Sequence, residues 1–241
     1  TTAYAKSGAA VSVPDTGRRL SLFDPKARAH ALFLHPGLFT SAPARLTRDA
    51  GLDAFAQGIQ GLESVRREPL ADAKLLHGVR LIRHALRGVE QSQRSADNDV
   101  QLMCAAQLIG EGTDFTGAGM ASALGHCIGA RFAVANGLAK SVVLPHTVRF
   151  NASATLGRLG EVADALGVGN PGSGNDVAET LSRAIADFFA SFGLPSRLRD
   201  LGVARTDLAM IVEETSADWF FTQNPRPVRD GELLELLQQA W

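Results

Sequence analysis

Through most of this chain apolar residues recur at three- and four-residue spacing, and the pattern breaks at short runs rich in Gly, Pro or Asn. That period belongs to amphipathic helices. It predicts helices near 46–65, 69–92, 97–112, 117–133, 137–150, 154–166, 176–192, 204–216 and 230–240. Start signals agree: Pro43 stands ahead of the first helix, Ser95 and Asp97 ahead of the third, Asn175 and Asp176 ahead of LSRAIADFFASF, and Thr206 with Asp207 opens the next. Gly167 and Gly193 follow apolar periods as helix stops do. Residues 9–22 differ, because AVSV and RRLSL alternate about PDTG, a hairpin pattern. The expected fold class is therefore mainly α, a helical bundle over 25–241 preceded by a β-hairpin within 1–24. An isolated hairpin is marginal in water, so residues 1–24 are expected to be the tail of something larger or to dock on another chain. NPGSGND at 170–176 is a flexible connection too short for a domain linker, and no fixed repeat is present.

Composition narrows the partners. The 241 residues carry 24 basic and 25 acidic side chains, a net charge of −1, so no global field recruits nucleic acid or an anionic membrane. A charged ligand must be caught locally. No apolar run approaches the roughly 20 residues a bilayer helix needs, and TTAYAKSGAA lacks the charged head and apolar centre of a signal peptide. A cytoplasmic protein is expected. Cys104 and Cys127 match no metal or CxxC spacing and read as packing residues. The histidines at 30, 35, 77, 84, 126 and 146 form no close cluster, which argues against a histidine-rich metal site.

One stretch concentrates chemistry. GMASALGHCIGARFAVANG, residues 119–137, places Ser122 four residues before His126 and Asn136 ten after it, spacings that face a common point. In its surroundings the chain resembles the C-terminal half of the iron-containing alcohol dehydrogenases, and within that superfamily the maleylacetate reductases. The resemblance runs through TTAYAKSG at 1–8, TGRRLSLFDP at 16–25, ARLTRDAGLDAFAQGIQ at 44–60, residues 119–137, VVLPHTVRFN at 142–151 and NPRPVRDGELLELLQQAW at 224–241. The NPRPV segment carries the likeness to the maleylacetate reductases.

What the resemblance implies is a two-domain enzyme. An α/β domain binds NAD(P), a helical domain of the kind that forms the C-terminal half of dehydroquinate synthase carries the metal or substrate site, and the reaction runs in the cleft between them. Residues 1–24 would close the nucleotide domain, with Thr1 and Thr2 matching the family's cofactor-contacting pair. The Gly-rich turn that joins a strand to a helix in dinucleotide folds is absent, since the GxGxxG match GVGNPG at 167–172 follows a helical period, so this chain alone is not expected to bind a dinucleotide well. The nucleotide domain is expected on a missing segment or on a second chain, and an oligomer is expected from family habit.

In the iron-dependent members the metal is held by an Asp, by a His four residues later, and by two further His on the next helices. Here Asp53 keeps the acid, while Gln57, Ser122 and Asn136 stand at the three His positions. Amide and hydroxyl oxygens suit a divalent transition metal poorly, so a metal-free site is expected.

Several residues keep two readings. His126 is either a proton-transfer group, with an ordinary pKa near operating pH, or a core histidine hydrogen-bonded between helices. Asp53 either faces the cleft or stabilises the positive end of its helix, and Asp49 upstream already serves that second purpose. Gln57, Ser122 and Asn136 either form a pocket for a carbonyl or carboxylate or satisfy one another. Arg226 either grips a substrate carboxylate or ties the C-terminal segment down. Asp114 is a minor candidate for a second acid. Lys6, where the reductases carry a Gly-Ser-Glu run, either adds charge attraction or blocks backbone approach. Lys140 and Arg131 are nearby cations whose roles the sequence does not separate. Two functions follow. One is a metal-independent NAD(P)H-dependent reductase of a small carboxylate-bearing ketone or enone, in the manner of an aromatic-degradation enzyme. The other is a non-redox binding or structural subunit that supports a catalytic partner.

Overall fold

The computed structural model describes residues 2, 6–12, 19–66, 68–90, 94–169 and 175–241. Its strands β1 (Gly8–Ser12) and β2 (Arg19–Phe23) form one antiparallel pair with Gly8 opposite Phe23. The PDTG turn lies outside the described residues. Ten helices follow among the described residues: α1 (Pro36–Thr40), α2 (Ala44–Glu63), α3 (Pro69–Glu90), α4 (Ala96–Thr116), α5 (Met120–Phe132), α6 (Asn136–Thr155), α7 (Leu159–Leu166), α8 (Asn175–Ala190), α9 (Leu208–Ser216) and α10 (Glu232–Ala240). No described helix is long and apolar enough to cross a membrane.

Helix α2 is the axis of the bundle. It packs on α3, α4 and α6, and α6 in turn meets α5, α8 and α10. Leu52, Phe55, Ile59 and Leu62 recur along α2 at helical spacing and are fully buried, which is what its apolar period requires. Phe55 stacks on Phe188 of α8, with ring centroids 4.3 Å apart. Burial of such side chains contributes roughly 1.5–3 kcal/mol each.

Helix ends follow local chemistry. The Ser95 side chain accepts from Asn98 N and starts α4. Gly117, at φ 75°, ends it and allows the sharp entry into α5. At the C-terminus of α2, Arg158 donates Nε to the Leu62 carbonyl at 2.6 Å and both terminal nitrogens to Asp72, so a buried guanidinium satisfies a carbonyl the helix leaves open. Arg94 plays the same part beside α1, donating to the Phe39 and Ala42 carbonyls and to the fully buried Asp99.

Three differences from the sequence reading have clear causes. Helix α6 runs to Thr155 rather than 150, because Asn151, Ala152 and Thr155 are buried by neighbouring helices. Residues 156–158 and 205–207 form 3-10 turns ahead of α7 and α9, which shortens both helices. Helix α1, five residues long, is too short to show a period. Cys104 also departs from expectation: it lies on the outer face of α4 and is exposed, while Cys127 is buried.

Candidate functional site

Asp53 stands at the middle of α2, not in its first turn, so the helix dipole does not account for it. Gln57 lies one turn on, and its Nε2 donates to Asp53 Oδ2 at 2.6 Å. The other carboxylate oxygen, Oδ1, accepts from Lys140 Nζ at 2.7 Å. Gln57 Oε1 accepts twice, from Lys6 Nζ at 2.5 Å and from Thr2 Oγ1 at 3.0 Å. Five side chains from the N-terminal segment, α2 and α6 thus form one network. Thr1 lies outside the described residues.

Two glycines make this centre possible. A Cβ at Gly137 would run into the Asp49 carbonyl oxygen and lie 2.8 Å from Asp53 N, so only glycine lets the first turn of α6 touch α2. A Cβ at Gly125 would lie 2.8 Å from Lys140 Cγ and 2.9 Å from its Cε. The Lys140 stem therefore lies along the bare backbone of α5, and the residue is only 1 % exposed.

The electrostatics follow from this crowding. Burial alone would raise the Asp53 pKa, but the charge and hydrogen bond of Lys140, the Gln57 amide and the Lys6 charge outweigh it and hold the carboxyl below its usual value. Burial pushes the Lys6 ammonium down to about 8, the Lys140 charge adds to that, and Asp53 and Asp114 oppose it.

Iron does not fit this donor set. Both Asp53 oxygens are taken, one by a cation, and the residues at the remaining ligand positions offer an amide, a hydroxyl and an amide. Among the described residues, no three His, Cys, Asp or Glu side chains gather to hold a metal.

Ser122 and Asn136 are used differently from one another. Gln60 Oε1 accepts from Gly119 N and Ser122 N at 3.0 and 2.9 Å, and its Nε2 donates to Ser122 Oγ at 3.2 Å. Asn224 Oδ1 accepts from Met120 N at 3.3 Å while its amide exchanges hydrogen bonds with Asn151. Helix α5 has no cap of its own, so two side chains remote in sequence satisfy its first amides. The Asn136 amide packs on α5 at Gly129, where a Cβ would collide with it.

His126 Nδ1 meets Asp218 Oδ2 at 3.0 Å, and the Phe220 ring sits edge-on to the imidazole. Asp218 is itself held, since its Oδ1 accepts from Phe220 N at 2.8 Å. Trp219 in the same turn packs on Phe23 of β2, with ring centroids 4.6 Å apart. The hairpin thus rests on the turn that positions the histidine.

Other candidates lie in structural ties. Arg226 Nη2 pairs with Glu232 at 2.5 Å, Nη1 donates to the Phe150 carbonyl, and the guanidinium covers the Phe150 ring at 3.9 Å. Asp114 accepts from Ser7 N and Oγ and pairs with Arg28, anchoring the start of β1. Arg131 pairs with Glu214 at the surface. Sequence reading missed Asp218, Gln60 and Asn224 as site-building residues. Lys140, which the sequence marks only as a nearby cation without a separable role, stands alone in the apolar run LAKSVVLP, one turn after Asn136.

Comparison with known proteins matches residues 47–241 to the Fe-containing alcohol dehydrogenase family, C-terminal. The chain is 30 % identical over 207 residues to 1,3-propanediol dehydrogenase of Citrobacter freundii, covering 86 % of this chain and 54 % of that protein. It is 27 % identical over 227 residues to lactaldehyde reductase of Escherichia coli (strain K12), covering 93 % of this chain and 58 % of that protein. A crystal structure of 1,3-propanediol oxidoreductase superposes with a TM-score of 0.93 at 26 % identity, over 100 % of this chain and 63 % of the other. Maleylacetate reductase from Rhizobium sp. strain MTP-10005 shares the fold, with a TM-score of 0.84 at 23 % identity over 100 % of this chain and 64 % of the other. The chain spans about half the length of the curated relatives it matches. With 195 of its residues under the family's C-terminal pattern, an all-helical body and a short hairpin at the start, this chain belongs to the Fe-containing alcohol dehydrogenase family.

Proposed function

We propose that this chain is the substrate-side helical domain of a metal-independent, NAD(P)H-dependent reductase acting on a small ketone or enone that bears a carboxylate. The observation that carries the reading is the Lys140–Asp53 pair, closed by Gln57, at the position where the family's iron ligands stand. An ammonium in that place supplies positive charge toward a reacting oxygen without a metal. Relatives named as lactaldehyde reductase and as NAD-dependent methanol dehydrogenase support carbonyl and alcohol chemistry with a nicotinamide cofactor. The chain matches the family's C-terminal part and spans about half the length of the curated relatives it matches. The reading therefore requires that NAD(P)H be held by residues beyond this chain, on a longer polypeptide or a second one.

The step assigned to this chain is at oxygen. Lys140 supplies positive charge toward the reacting oxygen, and His126, oriented by Asp218, delivers the proton. Asp218 acts as a positioning residue through the imidazole. A second reading, a binding subunit without redox activity, is favoured by the use of Ser122 in the cap of α5.

The test is NAD(P)H oxidation by the full-length encoded protein with small 2-oxo acids and unsaturated keto diacids, with and without chelator. The expected result is turnover that survives chelation, falls roughly 100-fold in kcat in His126→Ala, and shows an altered pH profile in Asp218→Asn. Activity that appears only with stoichiometric iron or zinc overturns the metal-free reading. No turnover and no NADH binding in the full-length protein favours the binding subunit.

A further inference from the structure

The Asp53 centre holds more cation than anion and more donors than acceptors. Lys6 and Lys140 bring two ammonium groups and Asp53 one carboxylate. Asp114, whose charge also reaches Lys6, is already paired with Arg28. Among the described residues the centre therefore carries one positive charge in excess. An ammonium has three N–H donors. Lys140 gives one to Asp53 and Lys6 gives one to Gln57, which leaves two on each. Gln57 Oε1 is filled by Lys6 and Thr2, and each Asp53 oxygen already accepts one bond, Oδ1 from Lys140 and Oδ2 from the Gln57 amide. Two ammonium groups held close with one carboxylate between them repel each other, and an anion beside the accessible Lys6 relieves that excess charge. Solvent reaches the centre at Asp53, whose side chain is 24 % exposed, and at the half-buried Lys6, whereas Lys140 is sealed behind them.

We infer that Lys6, backed by the buried charge of Lys140, forms an anion subsite that binds the carboxylate of a small organic acid, the part that one reading of the sequence gave to Arg226. Arg226 is spent on Glu232 and Phe150. The excess charge matches a single carboxylate head, and the standing charge of Asp53 disfavours an anion that concentrates two charges on one head, as hydrogen phosphate does, more than a diacid whose second carboxylate stays in solvent. The identity of the anion as a substrate rests on the reductase reading, while the subsite itself does not. A failed turnover assay therefore leaves the subsite standing, and failed anion binding leaves the reductase reading standing.

Calorimetric titration of succinate into the protein without nicotinamide tests it, with acetate and inorganic phosphate as comparison arms. The expected result is one site per chain that takes succinate and acetate in preference to phosphate. Binding is expected to weaken roughly tenfold or more in Lys6→Met and in Lys140→Met and to stay within a few-fold in Lys6→Arg. Lys140→Met leaves Asp53 without its hydrogen-bonded cation and risks the fold, so circular dichroism accompanies it. Lys6→Met, on the N-terminal segment, decides the question by itself if Lys140→Met unfolds. No binding by the wild-type protein, wild-type affinity in Lys6→Met, or phosphate binding tighter than succinate overturns the inference.

Discussion

Lys140 Nζ lies 2.7 Å from Asp53 Oδ1, reaching from α6 across α5 to the middle of α2. The two residues are 87 apart in sequence, and Lys140 is the more deeply buried of the two. Removing one member of a buried pair costs far more than removing both, because the survivor keeps its charge without a partner. Lys140→Met is therefore expected to destabilise by roughly 2–3 kcal/mol, below the usual 3–5 for a sealed pair, since Asp53 retains contact with water. Adding Asp53→Asn should recover most of that loss. Urea unfolding of both variants checks it, and a double variant less stable than Lys140→Met shows that the pair is not what holds these helices in register.

The same geometry ranks two glycine substitutions. At Gly137 the obstacle is backbone, the Asp49 carbonyl and the Asp53 amide, so a methyl group must push α6 off α2. At Gly125 the obstacle is the stem of Lys140, a side chain with four rotatable bonds. Gly137→Ala is expected to cost about 3 kcal/mol or more and Gly125→Ala roughly 1–2 kcal/mol, within the range for overpacked cores. Gly125→Ala should also weaken succinate binding by displacing Lys140. Denaturation midpoints in the reverse order contradict this account.

The helices were legible because each buries an apolar stripe, and an apolar stripe has a period. Ends were less legible wherever burial by a neighbour decides them, as at Thr155. Within the site, Asp53 and Gln57 could be paired from sequence because one helical turn separates them. Lys140 could not be assigned, since its reach depends on a missing Cβ at Gly125 on another helix. Ser122 kept two readings because its partner, Gln60, lies 62 residues away and takes the backbone amide and the hydroxyl together. Asp218 lies 92 residues beyond His126 in a 3-10 turn without apolar period. Spacing reports what shares a helix face; it carries nothing about which faces meet.

The two thiols should differ sharply. Burial pushes the Cys127 thiol up to about 12, and the Glu214 carboxylate beside it works in the same direction, so almost no thiolate forms near neutral pH. Cys104 is exposed on α4. Of these two cysteines, only Cys104 is expected to react with iodoacetamide in the folded protein at pH 8, with Cys127 following after denaturation. Peptide mapping distinguishes them, and prompt native labelling at Cys127 contradicts its burial.

Glu63, at the last position of α2, is 1 % exposed, and neither carboxylate oxygen finds a hydrogen-bond partner. Burial raises its pKa from the ordinary 4.5 to about 8, with the nearby Asn151 amide pulling the other way. The folded chain therefore keeps a proton at neutral pH that the unfolded chain has released. Stability is highest below about 4.5 as far as this group is concerned, falls as pH rises, and levels off above about 8. His146, lowered to about 4 by burial, works in the opposite sense up to about 6.5. Lys6, also near 8, works against Glu63 as the pH nears that value, since its folded form sheds a proton that the unfolded chain keeps. From about pH 6.5 to about 7 the loss is chiefly that of Glu63 and approaches about 1.4 kcal/mol per pH unit. Glu63→Gln, which cannot ionise, is expected to flatten the stability profile across that interval and to exceed the wild type at pH 8. Urea unfolding at half-unit steps checks both statements, and parallel profiles for the two proteins would mean that Glu63 is ionised in the fold and has found a cation.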